Sequence, residues 1–209
     1  MAQERGRDWI APIIGAACRG DVSNGARRRT VEEVILLAVE LVHEGREGRK
    51  IGTLFVIDDV EFVLARSRPL LLDPLKGHAP QVRHIDRRDF REAVKELAQL
   101  DGAFLVEKDG TFVAAARFID VDLQSASDLP SGLGARHAAA ASISGAADAI
   151  AVVVSESSVV RVFAEGELRA EIIPEFFHGG ADTSFAIEEA EVRELPEVGL
   201  TVAFAPNGS

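Results

Sequence analysis

Three stretches of the 209-residue sequence carry side chains suited to chemistry, and the most informative runs Asp128-Leu129-Pro130-Ser131-Gly132-Leu133-Gly134-Ala135-Arg136-His137. Its loop formers Pro130, Gly132 and Gly134 give way to an Ala-rich run through Ser144, which predicts a helix starting within a residue or two of Gly134. Arg136 and His137 then stand in its first turn. A helix N-terminus presents unpaired backbone N–H groups and about half a positive charge, and a guanidinium and an imidazole added there make a site suited to phosphate. An ordinary surface helix with a solvated Arg and a capping His fits the same local pattern. The other two stretches are Gln99-Leu100-Asp101-Gly102-Ala103-Phe104-Leu105-Val106, leading into a strand, and Val152-Val153-Val154-Ser155-Glu156-Ser157, leaving one. Both place acidic or hydroxyl groups at loop junctions.

In this order and at these spacings the three segments resemble the diadenylate cyclase (DAC) domain. Its signatures are an Asp-Gly-Ala motif and an Arg-His-Arg motif opening a helix after a Gly-rich loop, matched here by Asp101-Gly102-Ala103 and Arg136-His137-Ala138. The Val-Ser-Glu segment looks like the family's as well, and the resemblance spans about residues 50–173. It implies condensation of two ATP molecules into cyclic di-AMP and pyrophosphate, with a divalent metal, Mn²⁺ or Mg²⁺. Each protomer would hold one ATP and supply half of the constellation, so a homodimer or higher homo-oligomer is needed.

The same resemblance implies roles for individual residues. Asp101 would bind metal or accept the 3′-hydroxyl proton, and Glu156 would help to hold the metal. Arg136 would grip phosphate with its planar fork of donors, and His137 would hydrogen-bond phosphate or stabilise the transition state. Gly102, Ala103, Gly132, Leu133, Gly134 and Ser155 would complete the ATP site, with Gly102 allowing close backbone approach to a ligand. Two positions depart from the family pattern: Ala138 replaces the second Arg, and Ala135 stands where Thr or Ser is usual. They motivate the alternative of a catalytically weakened nucleotide-binding sensor of the same fold, although Arg117 is at hand to supply a missing cation. A third reading is a structural or partner-binding α/β domain.

Composition narrows the rest. With 47% hydrophobic residues the chain can bury one good core. A net charge of −11 and a pI of about 4.9 argue against nucleic acid or anionic membrane as partner, and a polyanionic substrate then needs a locally positive pocket. The single Cys18 excludes an internal disulfide and any multi-Cys metal site, as expected of a reducing cytoplasm. No signal peptide is legible, since residues 1–8 are charged and Pro12 and Gly15 break the apolar run that follows. No stretch approaches the length of a membrane span.

The positioning elements follow from hydrophobic period. Residues 1–29 are expected to be irregular, with Arg27-Arg28-Arg29 a solvated triplet, and Thr30 to cap a helix over 31–43. Residues 51–57 form a buried strand, Asp58-Asp59 a hairpin turn, and 60–65 a returning strand. A long loop covers 66–82, and a helix covers 86–100. Strands are expected at 102–106 and 111–118, at 149–154, and at 159–164 and 168–173, with hairpin turns at Lys108-Asp109-Gly110 and Glu165-Gly166-Glu167. This order predicts an α/β fold: a central twisted mixed β-sheet flanked by helices. The expected organisation is an N-terminal extension with one amphipathic helix (1–49), a DAC-like catalytic domain (50–175) and an acidic C-terminal segment (176–209) that can pack on the domain.

Overall fold

The computed structural model describes residues 7–18, 24–45, 50–121, 133–174 and 185–206. Gly132 and most of the Gly-rich loop before it lie outside these. The organising element is strand β1 (Thr53–Ile57), buried at every position. It pairs in parallel with β3 (Ala103–Val106) and antiparallel with β5 (Ile150–Val154). Among the described residues a nine-stranded mixed sheet runs around it in the order β2-β4-β3-β1-β5-β6-β7-β9-β8. The remaining strands are β2 (Ser67–Pro69), β4 (Phe112–Ile119), β6 (Val160–Ala164), β7 (Glu167–Pro174), β8 (Glu191–Leu195) and β9 (Leu200–Phe204). Both expected hairpins form, β3 with β4 and β6 with β7.

Alternate residues of the sheet feed two apolar layers, as a period of two requires. On one face Phe55, Phe104, Val152 and Val162 pack with helices α1 (Ala11–Ala17), α2 (Gly25–Glu44) and α4 (Arg88–Leu97). On the other, Leu54, Leu105, Val153 and Phe163 pack with α3 (Val60–Ala65) and the small residues of α5 (Ala135–Ala146). Among the described residues, no helix is long and apolar enough to cross a membrane.

The structure corrects several local expectations. Residues 60–65 form α3, not a returning strand: Asp58 and Asp59 take φ of 75° and 46°, and the backbone N–H of Val63 reaches the Asp59 carbonyl at 3.1 Å. Val60 and Val63, three apart, are the buried pair, which suits a helical turn. This is also why β1 and β3 can run parallel, since a parallel pair needs a crossover rather than a hairpin.

The N-terminal region is more regular than expected. α1 falls within it, and α2 begins at Gly25, where the Asn24 side chain accepts from the Arg27 backbone N–H at 3.2 Å. Thr30 is therefore inside the helix, and its hydroxyl donates to the Lys108 carbonyl at 2.8 Å. Arg27 is not solvated but 6% exposed, with ion pairs to Asp148 at 2.8 Å and Asp58 at 3.4 Å. β2 lies in the expected long loop, and the acidic C-terminal stretch supplies β8 and β9, the latter fully buried against β7.

Candidate active site

The register of the sheet brings the three chemistry-bearing stretches to one end. β5 runs antiparallel to β1 with Val154 opposite Thr53, and Ala103 of β3 lies opposite Leu54. Asp101 just before β3, Gly52 just before β1 and Glu156 just after β5 are thereby neighbours. α5 starts over the same end, with Arg136 and His137 in its first turn as the Gly-to-Ala transition predicts. Asp101, Arg136, His137 and Glu156 border a cavity of about 620 Å³ whose apolar wall includes Leu54, Leu70, Phe118, Ile119 and Val153.

Arg136 stands between two carboxylates. Its Nη2 lies 3.0 Å from Asp101 Oδ1 and its Nη1 3.3 Å from Glu156 Oε1. The guanidinium is one-third exposed, whereas the Asp101 and Glu156 side chains are 81% and 71% exposed. The pairs hold geometry more than they stabilise the fold, because exposed ion pairs contribute little. Gly52 is part of this arrangement, and its lack of a Cβ leaves room for the Arg136 guanidinium. Nothing in the local sequence marks Gly52, since its packing partner is 84 positions away.

Other expected site residues take more specific places. Gly102 has a φ of +107°, and a Cβ there would stand 2.7 Å from the Ala116 carbonyl carbon and the Arg117 nitrogen. The close approach it permits is thus to the backbone of β4, where Ala116 itself takes a φ of 53°. Ala103 is buried in β3 and reaches the cavity wall. Ser155 is turned into the bend after β5, with its Oγ 2.6 Å from Ser157 Oγ and accepting from the Val159 N–H at 3.2 Å. Leu133 and Gly134 lead into α5, and a Cβ at Gly134 would meet nothing within 4 Å among the described residues. Arg117 borders the cavity, but its guanidinium donates to the Ser67 carbonyl at 2.7 Å and the Leu64 carbonyl at 3.3 Å. Its charge is committed to holding β2 and α3.

His137 departs most from a solvated capping residue. It is 7% exposed, with its ring edge-on to Phe163, and its Nε2 lies 3.2 Å from Arg161 Nη1. Burial first, then the adjacent Arg161 charge, lowers its pKa from 6.5 to about 4, against a smaller opposing effect of the Gly134 backbone. The imidazole is neutral at ordinary pH. Arg161 and its partner Glu171 were not singled out from sequence: Arg161 is a lone charge in β6, but Glu171 is one of three charges in β7, and nothing local pairs them. They face one another across β6 and β7 and pair at 2.8 Å.

Against known proteins, the model of a family described as DisA bacterial checkpoint controller nucleotide-binding, DAC, matches residues 41–168. This chain belongs to the DAC family. The DAC chain is 44% identical over 149 residues to a protein of Methanocaldococcus jannaschii named diadenylate cyclase, covering 71% of this chain and 47% of that one. It is 36% identical over 149 residues to a Haloferax volcanii protein of the same name, covering 70% of this chain and 54% of that one. The chain therefore spans about half the length of the curated relatives it matches. Among solved structures, a hypothetical membrane spanning protein from Bacillus cereus superposes with a TM-score of 0.50 at 23% identity, over 66% of this chain and 61% of that one. That likeness concerns the fold alone. The DAC match ends at residue 168, so Glu171, β8 and β9 lie beyond it.

Proposed function

We propose that this DAC-family chain condenses two ATP molecules into cyclic di-AMP with release of pyrophosphate, at the interface of two protomers that meet face to face. The observation carrying this reading is the convergence of Asp101, Arg136 and Glu156 at the rim of a cavity bordered by the start of a helix. The shared name of the two relatives supports it. The apolar wall takes a purine, while the α5 N-terminus and Arg136 take phosphate. In each half-reaction the ribose 3′-oxygen attacks the α-phosphorus, its proton leaves to Asp101 or, where Asp101 instead holds a metal, to solvent, and the bond to pyrophosphate breaks. Arg136 then exchanges carboxylate partners for phosphate oxygens, which suit the same planar fork.

The open setting of Asp101 accords with an active homodimer or larger homo-oligomer. A side chain 81% exposed is poorly placed to exclude water from a phosphoryl transfer, and a second protomer closing over the rim provides that enclosure. Metal is tested by the donors present. Among the described residues no group of three or more His, Cys, Asp or Glu is arranged to hold an ion. Two carboxylates, Asp101 and Glu156, fit a hard divalent cation that keeps waters and takes substrate phosphate as further ligands, as Mg²⁺ or Mn²⁺ does. Such an ion would neutralise phosphate charge. The cytoplasm, where ATP is abundant, is the matching compartment.

Incubation of the purified chain with ATP and Mn²⁺ or Mg²⁺, followed by separation of nucleotides, tests the reading. Cyclic di-AMP and pyrophosphate are the expected products. ATP bound but unconsumed with both metals would instead favour the sensor reading that Ala135 and Ala138 motivate.

A further inference from the structure

Behind His137, which borders the cavity and in the nucleotide reading hydrogen-bonds phosphate or stabilises the transition state, runs a chain of polar groups with no role in that reading. His137 Nε2 faces Arg161 Nη1 at 3.2 Å, Arg161 Nε donates to Glu171 Oε1 at 2.8 Å, and Glu171 Oε2 accepts from the Ala186 backbone N–H at 2.6 Å. Glu171 is 1% exposed and the Arg161 side chain 13%. A carboxylate buried this deeply is tolerated only with its charge paired and both oxygens bonded, which Arg161 and Ala186 achieve. The guanidinium can only donate, so the imidazole nitrogen that faces it must accept. That leaves the ring proton on Nδ1, a buried atom that makes no hydrogen bond of ordinary geometry among the described residues, although the Gly134 backbone acts on the ring.

We infer that Arg161 and Glu171 are positioning residues for His137: their buried pair holds the imidazole in its Nδ1–H tautomer, with Nε2 as acceptor, and ties that state to the backbone leading into β8. The device lies partly outside the family match, since Glu171 and Ala186 follow residue 168. A fixed tautomer decides which nitrogen can donate, and here Nδ1 is the ring's one donor at the first turn of α5. Among the described residues the positive charges near the ring are Arg161 on β6 and Arg136 on α5, with Glu171 on β7 behind Arg161. Its consequence for turnover rests on the nucleotide reading above, but the state of the ring does not.

The test is nitrogen-15 NMR of the histidine side chains in the full chain without nucleotide, with the His137 signals assigned by their loss in His137→Gln. The wild type should show a neutral ring protonated at Nδ1. Arg161→Met should shift the proton to Nε2 or mix the tautomers, and Arg161→Lys, which restores a donor, should return it. If Arg161→Met does not fold, Glu171→Gln carries the same comparison, because loosening Arg161 should also mix the tautomers. In turnover, Arg161→Met should lower kcat by about tenfold or more with KM for ATP little changed, the scale on which supporting partners act. A wild-type ring protonated at Nε2, or a tautomer indifferent to Arg161 and Glu171, would overturn the inference. A lowered melting temperature with tautomer and kcat both unchanged would also overturn it, leaving a merely structural ion pair.

Discussion

Gly52 and Arg136 pack so closely that a Cβ on the glycine would stand 2.7 Å from Nη1 of the arginine. The same Cβ would lie 3.1 Å from Glu156 Cγ, so it intrudes on both partners of one ion pair. Both atoms belong to flexible side chains, and the backbone of Gly52 needs no left-handed conformation. Gly52→Ala should therefore move Arg136 without harming the fold. The expected result is a stability change of about 0.5 kcal/mol or less with ATP binding weakened about tenfold, or about 1.4 kcal/mol. Thermal melts beside calorimetric titration read both, and unaltered ATP affinity would show that the Arg136 position is not used.

Gly102 makes the opposite case. Its φ of +107° is strained for any other residue, and the atoms a Cβ would strike are β4 backbone at 2.7 Å. Gly102→Ala should lose about 2 to 4 kcal/mol of stability in urea unfolding, from strain and overpacking together. Gly134→Ala should change stability little, because among the described residues its Cβ would meet nothing within 4 Å.

His137 makes stability depend on pH in a defined window. Its folded pKa of about 4 lies below the unfolded value of 6.5, so above pH 6.5 the ring is neutral in both states. As pH falls from 6.5 towards 4 only the unfolded chain binds the proton, and stability is lost. Wild type should lose about 3 kcal/mol more than His137→Gln across this range, measured by unfolding at a series of pH values. Equal acid sensitivity of the two proteins would mean that the folded ring binds protons as freely as the unfolded one.

Much of the site was legible because its clues are local. The change from Gly132 and Gly134 to an Ala run marks the start of α5, and strand-to-loop junctions mark Asp101 and Glu156. What joins them is not local. Arg136 meets Asp101 and Glu156 only because β1 lies between β3 and β5, an order hidden by expecting a hairpin at Asp58-Asp59. Over six residues the Val60-to-Ala65 run satisfies either period, and the two left-handed aspartates decide for helix. Arg161 and Glu171 escaped notice because each looks like an ordinary charge in its own strand. Register alone makes them a pair. β9 was missed for a related reason, since acidic and broken surroundings mask five buried residues that need β7 to cover them.

Asp101→Asn tests the proposed proton or metal role. The change keeps the size of the side chain and removes its charge, at a position 81% exposed where the Arg136 pair adds little to stability. ATP binding should stay within a few-fold of wild type while turnover falls by about a hundredfold or more, as loss of a positioned base does. Retention of wild-type activity in a nucleotide assay would remove Asp101 from the mechanism.

Arg136 should separate phosphate from base recognition. If the start of α5 cradles phosphate, Arg136→Ala weakens ATP by about 1.5 to 3 kcal/mol, roughly ten- to a hundredfold, and leaves adenosine nearly untouched. Only ATP presents charge to the lost fork of donors. Loss of the ion pairs to Asp101 and Glu156 should shift the fold little, since both carboxylates remain mostly solvated. The variant also leaves those two carboxylates without their shared cation, so residual ATP binding should depend more steeply on added Mg²⁺ or Mn²⁺ than in the wild type. Titrations of ATP and adenosine at several metal concentrations, beside thermal melts, read each effect. An equal loss for both ligands, or a collapse of the melting temperature, would show that Arg136 holds the fold rather than the phosphate.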